Sequence, residues 1–409
     1  MRTSAYLTAL LMIFLIISGC ESRINNEMTE SLIREAQHKF APDRRTVVFD
    51  VQSVVSGNRL TLTGEIHSNY LKNRLLEYLR ERVSYGITDS IAVLPQLSLG
   101  KKTFGVVNVS VANIRTKPDH GEELATQAIL GTPLKILKHE NGWYYVQTPD
   151  EYLGWIDGQI EIFTKEEYEV WAAGPKIIVT VEYGFTYASE YKESGVVSDV
   201  VIGSLLKLKN EDREHYHVEY PDGRTAFLPK QHGQPFAKWL AGAKDTPETV
   251  LSTAKRFMGV PYLWGGTSAK GMDCSGYTKT VYFLNGVLLP RDASQQVLVG
   301  DPVGPGRDLE NLKMGDLVFF GSRAMEKKPE RVTHVGIYLG DKRFIHASGD
   351  VHINSFDPAA ADYSEYRSRT FLRAQRIIGA GETAGVRRLA QISYYRGSEP
   401  YLFSTVEQH

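Results

Sequence analysis

Two cysteines occur in the 409-residue chain, Cys20 and Cys274. The second lies in Met272-Asp273-Cys274-Ser275-Gly276-Tyr277, and downstream of it Tyr277, Val281 and Leu284 share one helical face. Cys274 is therefore expected at a helix N-terminus, where unpaired amides and the helix dipole favour an anion. A thiol so placed is expected to be acidified toward the thiolate, the nucleophilic form. The bland alternative is a buried, inert cysteine, a common fate of the residue. A nucleophilic thiolate needs an imidazole, and two are available downstream. Thr333-His334-Val335-Gly336-Ile337-Tyr338-Leu339 reads as a strand, Arg343-Phe344-Ile345-His346-Ala347-Ser348 as its neighbour, and Gly340-Asp341-Lys342 as the turn between them. Hairpin pairing brings His334 and His346 together in space although they are twelve positions apart. The chemistry these types allow is cysteine–histidine nucleophilic catalysis. His215, His217 and His352 show no such pattern, and no Cys/His/Asp spacing matches a zinc site, so neither metal nor cofactor is expected.

The segments around these residues must position them. Asp245-Thr246-Pro247-Glu248 offers an N-cap, a proline and an acidic first turn, after which Leu251, Ala254 and Phe257-Met258 follow helical spacing. Gly259-Val260-Pro261-Tyr262-Leu263-Trp264-Gly265-Gly266 then allows a tight bend before the cysteine. Met314-Gly315-Asp316-Leu317-Val318-Phe319-Phe320 reads as a turn entering a strand.

Upstream, residues from about 102 to 165 hold short strands at close spacing, which predicts a small barrel. Residues from about 176 to 235 repeat the theme, with Pro221-Asp222-Gly223-Arg224 as a strong turn. Residues 21 to about 45 are polar and read as the start of a tether, with helical propensity rising from Ser31 to Ala36. A hairpin over Val47–Thr63, a helix carrying Tyr70, Leu71, Leu75, Leu76 and Leu79, and a strand over Ile91–Leu94 then suggest a small ββαβ region.

Composition excludes several classes. A formal net charge of -1, with no long run of one sign, gives no reason to expect nucleic acid as a partner. At about 100–200 residues per domain, the length allows two to four domains.

Three resemblances follow from these residues. Pro-Tyr-x-Trp-Gly-Gly at 261–266, Asp-Cys-Ser-Gly at 273–276, Gly-Asp-Leu-Val-Phe-Phe at 315–320, His-Val-Gly-Ile-Tyr at 334–338 and His-Ala-Ser at 346–348 occur in the order that resembles the NlpC/P60 family of papain-like cell-wall peptidases. Asn113-Ile114-Arg115, Gly131-Thr132-Pro133-Leu134, Gly142-Trp143-Tyr144-Tyr145-Val146 and Gly154-Trp155-Ile156 resemble the bacterial SH3 family. An apolar run from Tyr6 to Ile17, too short for a comfortable span, precedes Ile17-Ser18-Gly19-Cys20, which resembles a bacterial lipobox. The lipobox implies that Cys20 is lipidated and becomes the first mature residue; the other reading is an ordinary signal peptide with a chance cysteine.

Together these imply an α+β protein: a papain-like NlpC/P60 catalytic domain (245–380) preceded by two SH3-like β-barrels (101–168 and 175–236) and a small N-terminal α/β region (21–100). A lipoprotein signal (1–20) opens the chain and an extension (381–409) ends it. Carried over from the family, Cys274 attacks, His334 is general base and later acid, and His346 orients His334. The Cys274 amide, helped by the Tyr262 hydroxyl, faces the oxyanion. The paired SH3-like segments resemble γ-D-glutamyl-L-diamino acid endopeptidases, which hydrolyse the bond between D-glutamate and meso-diaminopimelate or lysine in peptidoglycan stem peptides. One branch selects a free N-terminal L-alanine, and on that resemblance Asp273, Ser275, Glu123, Tyr152 and Ser294 join Tyr262 as substrate-binding candidates. The expected partners are stem peptides or muropeptides, and a bacterial membrane through the N-terminal lipid, facing the periplasm or the surface. The competing readings are a hydrolase of intact wall, a non-catalytic lipid-tethered wall-binding protein, and amide or acyl chemistry on another substrate. Oligomeric state is not legible.

Overall fold

The computed structural model describes residues 26–304 and 309–396. The signal segment and Cys20 lie outside the described residues.

The N-terminal unit begins with helix α1 (Asn26–Phe40), so the polar segment expected as a tether is helical as soon as it is described. Its Thr29, Ile33 and Ala36 are buried at helical spacing, which gives it a packed face. Strands β1 (Phe49–Ser56) and β2 (Arg59–Ile66) form the expected hairpin, α2 (Asn69–Arg80) follows, and β3 (Gly86–Val93) pairs parallel to β2. Ser68 caps α2 through the Leu71 amide, and Leu71, Leu75, Leu76 and Leu79 make its buried face. Residues 43–47, although flanked by this unit, pack with the remainder of the chain.

That remainder opens with β4 (Phe104–Val107), β5 (Val111–Arg115), β6 (Leu124–Ile129), β7 (Pro133–Glu140), β8 (Trp143–Gln147), β9 (Leu153–Ile156) and β10 (Ile160–Phe163). Helix α3 (Lys165–Ala173) leads to β11 (Lys176–Val179), β12 (Tyr183–Tyr187), β13 (Val196–Val201), β14 (Leu205–Glu211), β15 (His215–Glu219), β16 (Thr225–Pro229) and β17 (Gly233–Pro235). Counted from its own first strand, each seven-stranded sheet reads 7-1-4-5-6-2-3. In both, the second strand meets the sixth through one residue pair, Arg115 with Trp155 and Tyr187 with Phe227. The weak sequence repeat is therefore a topological repeat. Neither ladder closes among the described residues, so each is an open sheet rather than the expected closed barrel. Each fills its interior with its own aliphatic side chains, such as Ile114, Leu134 and Val146 in the first and Ile177, Leu206 and Val218 in the second.

Helix α4 (Phe236–Gly242) precedes α5 (Pro247–Lys255), where Thr246 is the N-cap and Pro247 takes the first helical position. A two-residue ladder of β18 (Thr267–Ser268) and β19 (Gly271–Met272) delivers the chain to α6 (Cys274–Phe283). After β20 (Val287–Leu288), α7 (Ala293–Gln296) and β21 (Asp301–Pro302) come β22 (Leu317–Ser322), β23 (Arg331–Gly340), β24 (Arg343–Ser348), β25 (Asp350–Ser355), α8 (Glu365–Thr370) and β26 (Phe371–Arg376). The last sheet runs β21-β26-β22-β23-β24-β25 and is antiparallel throughout. Val281, Tyr277 and Cys274 of α6 share a core with Phe319, Val335, Ile337 and Ala347 of this sheet. The described part of the extension, up to residue 396, is built into the fold: Tyr394 and Tyr395 pack with Tyr168, Trp171 and Phe236, and the Tyr394 hydroxyl donates to the Gly131 carbonyl at 2.6 Å.

Candidate active site

Cys274 is the first residue of α6, and Asp273 is its N-cap, accepting the Gly276 amide on Oδ1 at 2.7 Å. Gly276 has to be glycine, because a Cβ there would stand 2.0 Å from the Gly266 carbonyl oxygen. The glycine lets the first helical turn lie against the 259–266 bend, which fixes where the thiol points. Cys274 is 7% exposed. Burial pushes its thiol up to about 11, and the adjacent Asp273 carboxylate pushes the same way, against the Val335 and Ser275 amides that favour the thiolate. The acidified thiol expected from the helix terminus is thus not the resting state. Desolvation outweighs the helix N-terminus here, and the group is a neutral thiol at neutral pH.

The hairpin of β23 and β24 brings the two histidines into direct contact, His334 Nε2 to His346 Nδ1 at 2.7 Å. His346 Nε2 in turn lies 3.0 Å from Asn354 Oδ1 on β25, and the Asn354 amide is oriented by its Nδ2 donating to the Asp362 carbonyl. This chain sets the tautomers. The Asn354 oxygen only accepts, so His346 carries its proton on Nε2 and accepts on Nδ1; His334 then donates from Nε2 and keeps a lone pair on Nδ1. Burial drives His334 well below the usual histidine range, helped by the Arg367 guanidinium and His346. Burial also pushes His346 down to about 3, against the Asn354 hydrogen bond. Both rings are neutral near pH 7. Among the described residues no hydrogen bond joins the Cys274 sulfur to His334; the amide of the next residue, Val335, faces the sulfur, and burial favours the uncharged form of both groups.

The thiol opens onto a cleft of about 760 Å³, and every substrate-binding candidate lines it: Glu123, Tyr152, Tyr262, Asp273, Ser275 and Ser294. Their states differ from what the sequence suggests. Asp273 is buried and engaged by Arg291, whose Nη2 meets Oδ2 at 2.5 Å and whose Nη1 meets Oδ1 at 3.1 Å. Arg291 also donates to Ser275 Oγ and Thr126 Oγ1. Asp273 and Ser275 therefore hold a buried ion pair and a helix cap at the wall of the cleft. Ser294 accepts from Arg45 Nη1 at 2.8 Å. Tyr152 donates to Asp292 Oδ2 at 3.0 Å. Glu123 is exposed and accepts the Trp264 indole N–H at 2.7 Å; among the described residues it has no ion-pair partner. Burial holds the Tyr262 hydroxyl above the usual tyrosine range, the same direction in which a Cys274 thiolate pushes it, so it is a neutral donor.

Several site residues escape a reading of the sequence. Asp292, whose side chain is 27% exposed, sits one position after Arg291 in the stretch that contains Ser294, and only that neighbourhood could have pointed to it. Asn354 carries no sequence signal apart from its place in the strand after His346. Arg45 comes from residues 43–47, whose backbone is fastened to the first seven-stranded sheet by Leu153 N to Arg45 O at 2.8 Å and by Gln147 Nε2 to Thr46 O at 2.8 Å. It bonds Asp43 through Nε and Nη2 and Asp292 through Nη1, and no local pattern announces a contact across about 250 residues.

A buried thiol at the start of a helix, packed on an antiparallel sheet that presents two bonded imidazoles, defines a papain-like cysteine hydrolase. Residues 259–373 match the model of the NlpC/P60 family, and residues 114–159 that of the bacterial dipeptidyl-peptidase Sh3 domain. A γ-D-glutamyl-L-lysine dipeptidyl-peptidase of Bacillus cereus is 31% identical over 236 residues, covering 56% of this chain and 68% of the relative. Dipeptidyl-peptidase 6 of Lysinibacillus sphaericus is 28% identical over 261 residues, covering 62% of this chain and 91% of the relative. The crystal structure of an NlpC/P60 family protein from Bacillus cereus superposes with a TM-score of 0.58 at 26% identity, covering 67% of this chain and 99% of that one. The chain belongs to the NlpC/P60 family of cysteine peptidases.

Proposed function

We propose that this protein hydrolyses the γ-D-glutamyl–L-diamino acid bond of peptidoglycan stem peptides and acts on peptides with a free N-terminal L-alanine. The observation that carries the reading is the lining of the cleft, which holds Glu123 and the hydrogen-bonded pair of Asp292 and Tyr152 together with Cys274. Two carboxylates with one partial cation partner, Arg45, form a site for an ammonium group. The names of the relatives agree with this substrate class.

In this reading His334 Nδ1 takes the thiol proton as Sγ attacks the γ-carbonyl carbon of D-glutamate. The oxyanion is met by the Cys274 N–H, which as the first helical amide has no intrahelical acceptor, and by the Tyr262 hydroxyl. The imidazolium returns its proton to the departing α-amine of the diamino acid, and the C–N bond breaks to leave a thioester. Water, deprotonated by His334, hydrolyses the thioester and restores the thiol. His346 and Asn354 act through His334 by holding its tautomer. The second seven-stranded sheet, with the strand order of the first, is read as a second SH3-like domain. Lipidation of Cys20, with the protein held at a bacterial membrane, completes the proposal.

The test is mass spectrometry of products from L-Ala-γ-D-Glu-L-Lys and its diaminopimelate counterpart beside whole sacculi. Release of the dipeptide L-Ala-γ-D-Glu from free peptides is expected. Cleavage confined to intact sacculi would replace this reading with wall remodelling.

A further inference from the structure

Arg367, on α8, is a half-buried cation that the catalytic steps above do not use. Its Nη2 donates to Ser348 Oγ at 3.1 Å, at the end of the strand that carries His346. Its guanidinium carbon stands 5.6 Å from the centre of the Phe320 ring, and that ring is 5.7 Å from the ring of His334. The next residue after Ser348, Gly349, accepts the backbone amide of Tyr262 at 2.8 Å, which ties this corner to the cleft wall. Among the described residues Arg367 has no carboxylate partner, whereas Arg291, Arg45, Arg373 and Arg376 around the same domain are each paired. The guanidinium also lies 5.3 Å from the Tyr366 ring, so a half-buried cation is held by one hydroxyl and two aromatic rings and has donors left for an anion.

Position identifies that anion. The imidazole that protonates a leaving amine stands on the side of the departing fragment, and Arg367 is close enough to act electrostatically on both imidazoles, whereas the cleft lining that holds Glu123 and Asp292 does not include it. We infer that Arg367 is a specificity residue that binds a carboxylate of the departing diamino-acid fragment. The inference rests on the γ-D-glutamyl reading and deepens it: an ammonium is recognised at one end of the peptide and a carboxylate at the other. Electrostatics agree, because the guanidinium lies close enough to interact with the Cys274 thiol and the Tyr262 hydroxyl at the reacting centre.

Two peptides test it, L-Ala-γ-D-Glu-L-Lys with a free C-terminal carboxylate and the same peptide as its C-terminal amide. The wild-type protein is expected to favour the acid by about tenfold or more in kcat/KM, mostly through KM, the range of a lost charge-assisted hydrogen bond. Arg367→Gln is expected to reduce that preference to less than about threefold, and Arg367→Lys, which keeps the charge but loses the fork, to retain part of it. A thermal melt of both variants separates misfolding from lost recognition. Equal wild-type rates on the two peptides, or an unchanged preference in a folded Arg367→Gln, overturn the inference and leave the γ-D-glutamyl reading intact. Turnover of neither peptide overturns that reading, and the inference with it.

Discussion

Substituting Glu123 and Asp273 separately distinguishes the carboxylate that reads the substrate from the one that builds the site. Asp273 and Arg291 are both buried and share two hydrogen bonds, and Asp273 also accepts the Gly276 and Gly265 amides. Asp273→Asn leaves the Arg291 charge without its counterion, which costs about 3–5 kcal/mol of folding stability. Glu123 is exposed, with the Trp264 indole as its only side-chain hydrogen-bond partner among the described residues, so Glu123→Gln changes stability by less than about 0.5 kcal/mol. Binding reverses the ranking. If the L-alanine ammonium sits between Glu123 and Asp292, acetylating it removes a charge-assisted hydrogen bond worth about 1.5–3 kcal/mol, or about 10- to 150-fold in kcat/KM. The assay compares kcat/KM for L-Ala-γ-D-Glu-L-Lys and its N-acetyl form in wild type and Glu123→Gln, with thermal melts of both variants. The wild-type ratio is expected to exceed ten and to fall below about three in Glu123→Gln. A folded Glu123→Gln that still rejects the acetylated peptide by the full wild-type factor would refute the argument, as would an Asp273→Asn that melts like wild type.

Cys274→Ala is expected to abolish release of L-Ala-γ-D-Glu, read by mass spectrometry; unchanged turnover removes the nucleophile from the proposal. His334 is depressed below 6.5, so its base form survives into mild acid, and kcat/KM on the free peptide should stay level as pH falls through 6.5. The alkaline limb should follow loss of the substrate ammonium near about pH 8 and be missing for the N-acetyl peptide; a shared limb counts against amine recognition. The same depression makes stability pH-dependent. With His346 at about 3 when folded and 6.5 when unfolded, the unfolded chain binds the extra proton below pH 6.5, so stability present above 6.5 declines by about 2 kcal/mol at pH 5. A denaturant midpoint that does not fall between pH 7 and pH 5 argues against the buried neutral ring. Cys20→Ser should move the protein from the membrane fraction to the soluble one; retention argues against lipidation.

The features legible in the sequence were those encoded by local spacing. A cysteine before a helical face, two histidines across a tight turn and a proline-led helix start each depend on neighbours within about a dozen residues. The repeat of two seven-stranded sheets was visible as strand spacing, because period-2 patterns survive divergence. What stayed hidden depends on contacts far apart in the chain. Arg45 reaches Asp292, and Thr126 of the first sheet accepts from Arg291; neither pairing has a sequence period. Asp273 shows the limit most directly. Its type and place beside the nucleophile suit an ammonium ligand, and only the buried guanidinium across from it reveals that its charge is already matched. The protonation state of the thiol is hidden for a related reason: a helix terminus is legible from spacing, whereas the depth at which it is buried is not.

The neutral resting pair has a consequence for how the site works. Burial favours the uncharged forms of Cys274 and His334 by opposite shifts, so an ion pair between them is unfavourable until something compensates both charges. In the proposed reaction the negative charge does not stay on sulfur. It passes to the carbonyl oxygen, where the first amide of α6 and the neutral Tyr262 hydroxyl can meet it, while the positive charge on His334 is held by a ring whose Nδ1 accepts and whose Nε2 donates to Asn354. Proton transfer is thus coupled to attack on a bound carbonyl rather than preceding it. A peptidase with an exposed thiolate would be open to oxidation and alkylation. A thiol kept protonated until substrate arrives avoids that exposure, and its reaction with iodoacetamide should be slow at pH 7 and rise about tenfold per pH unit toward 11. Rapid alkylation at pH 6, level with pH, would show a standing thiolate and overturn the coupled step.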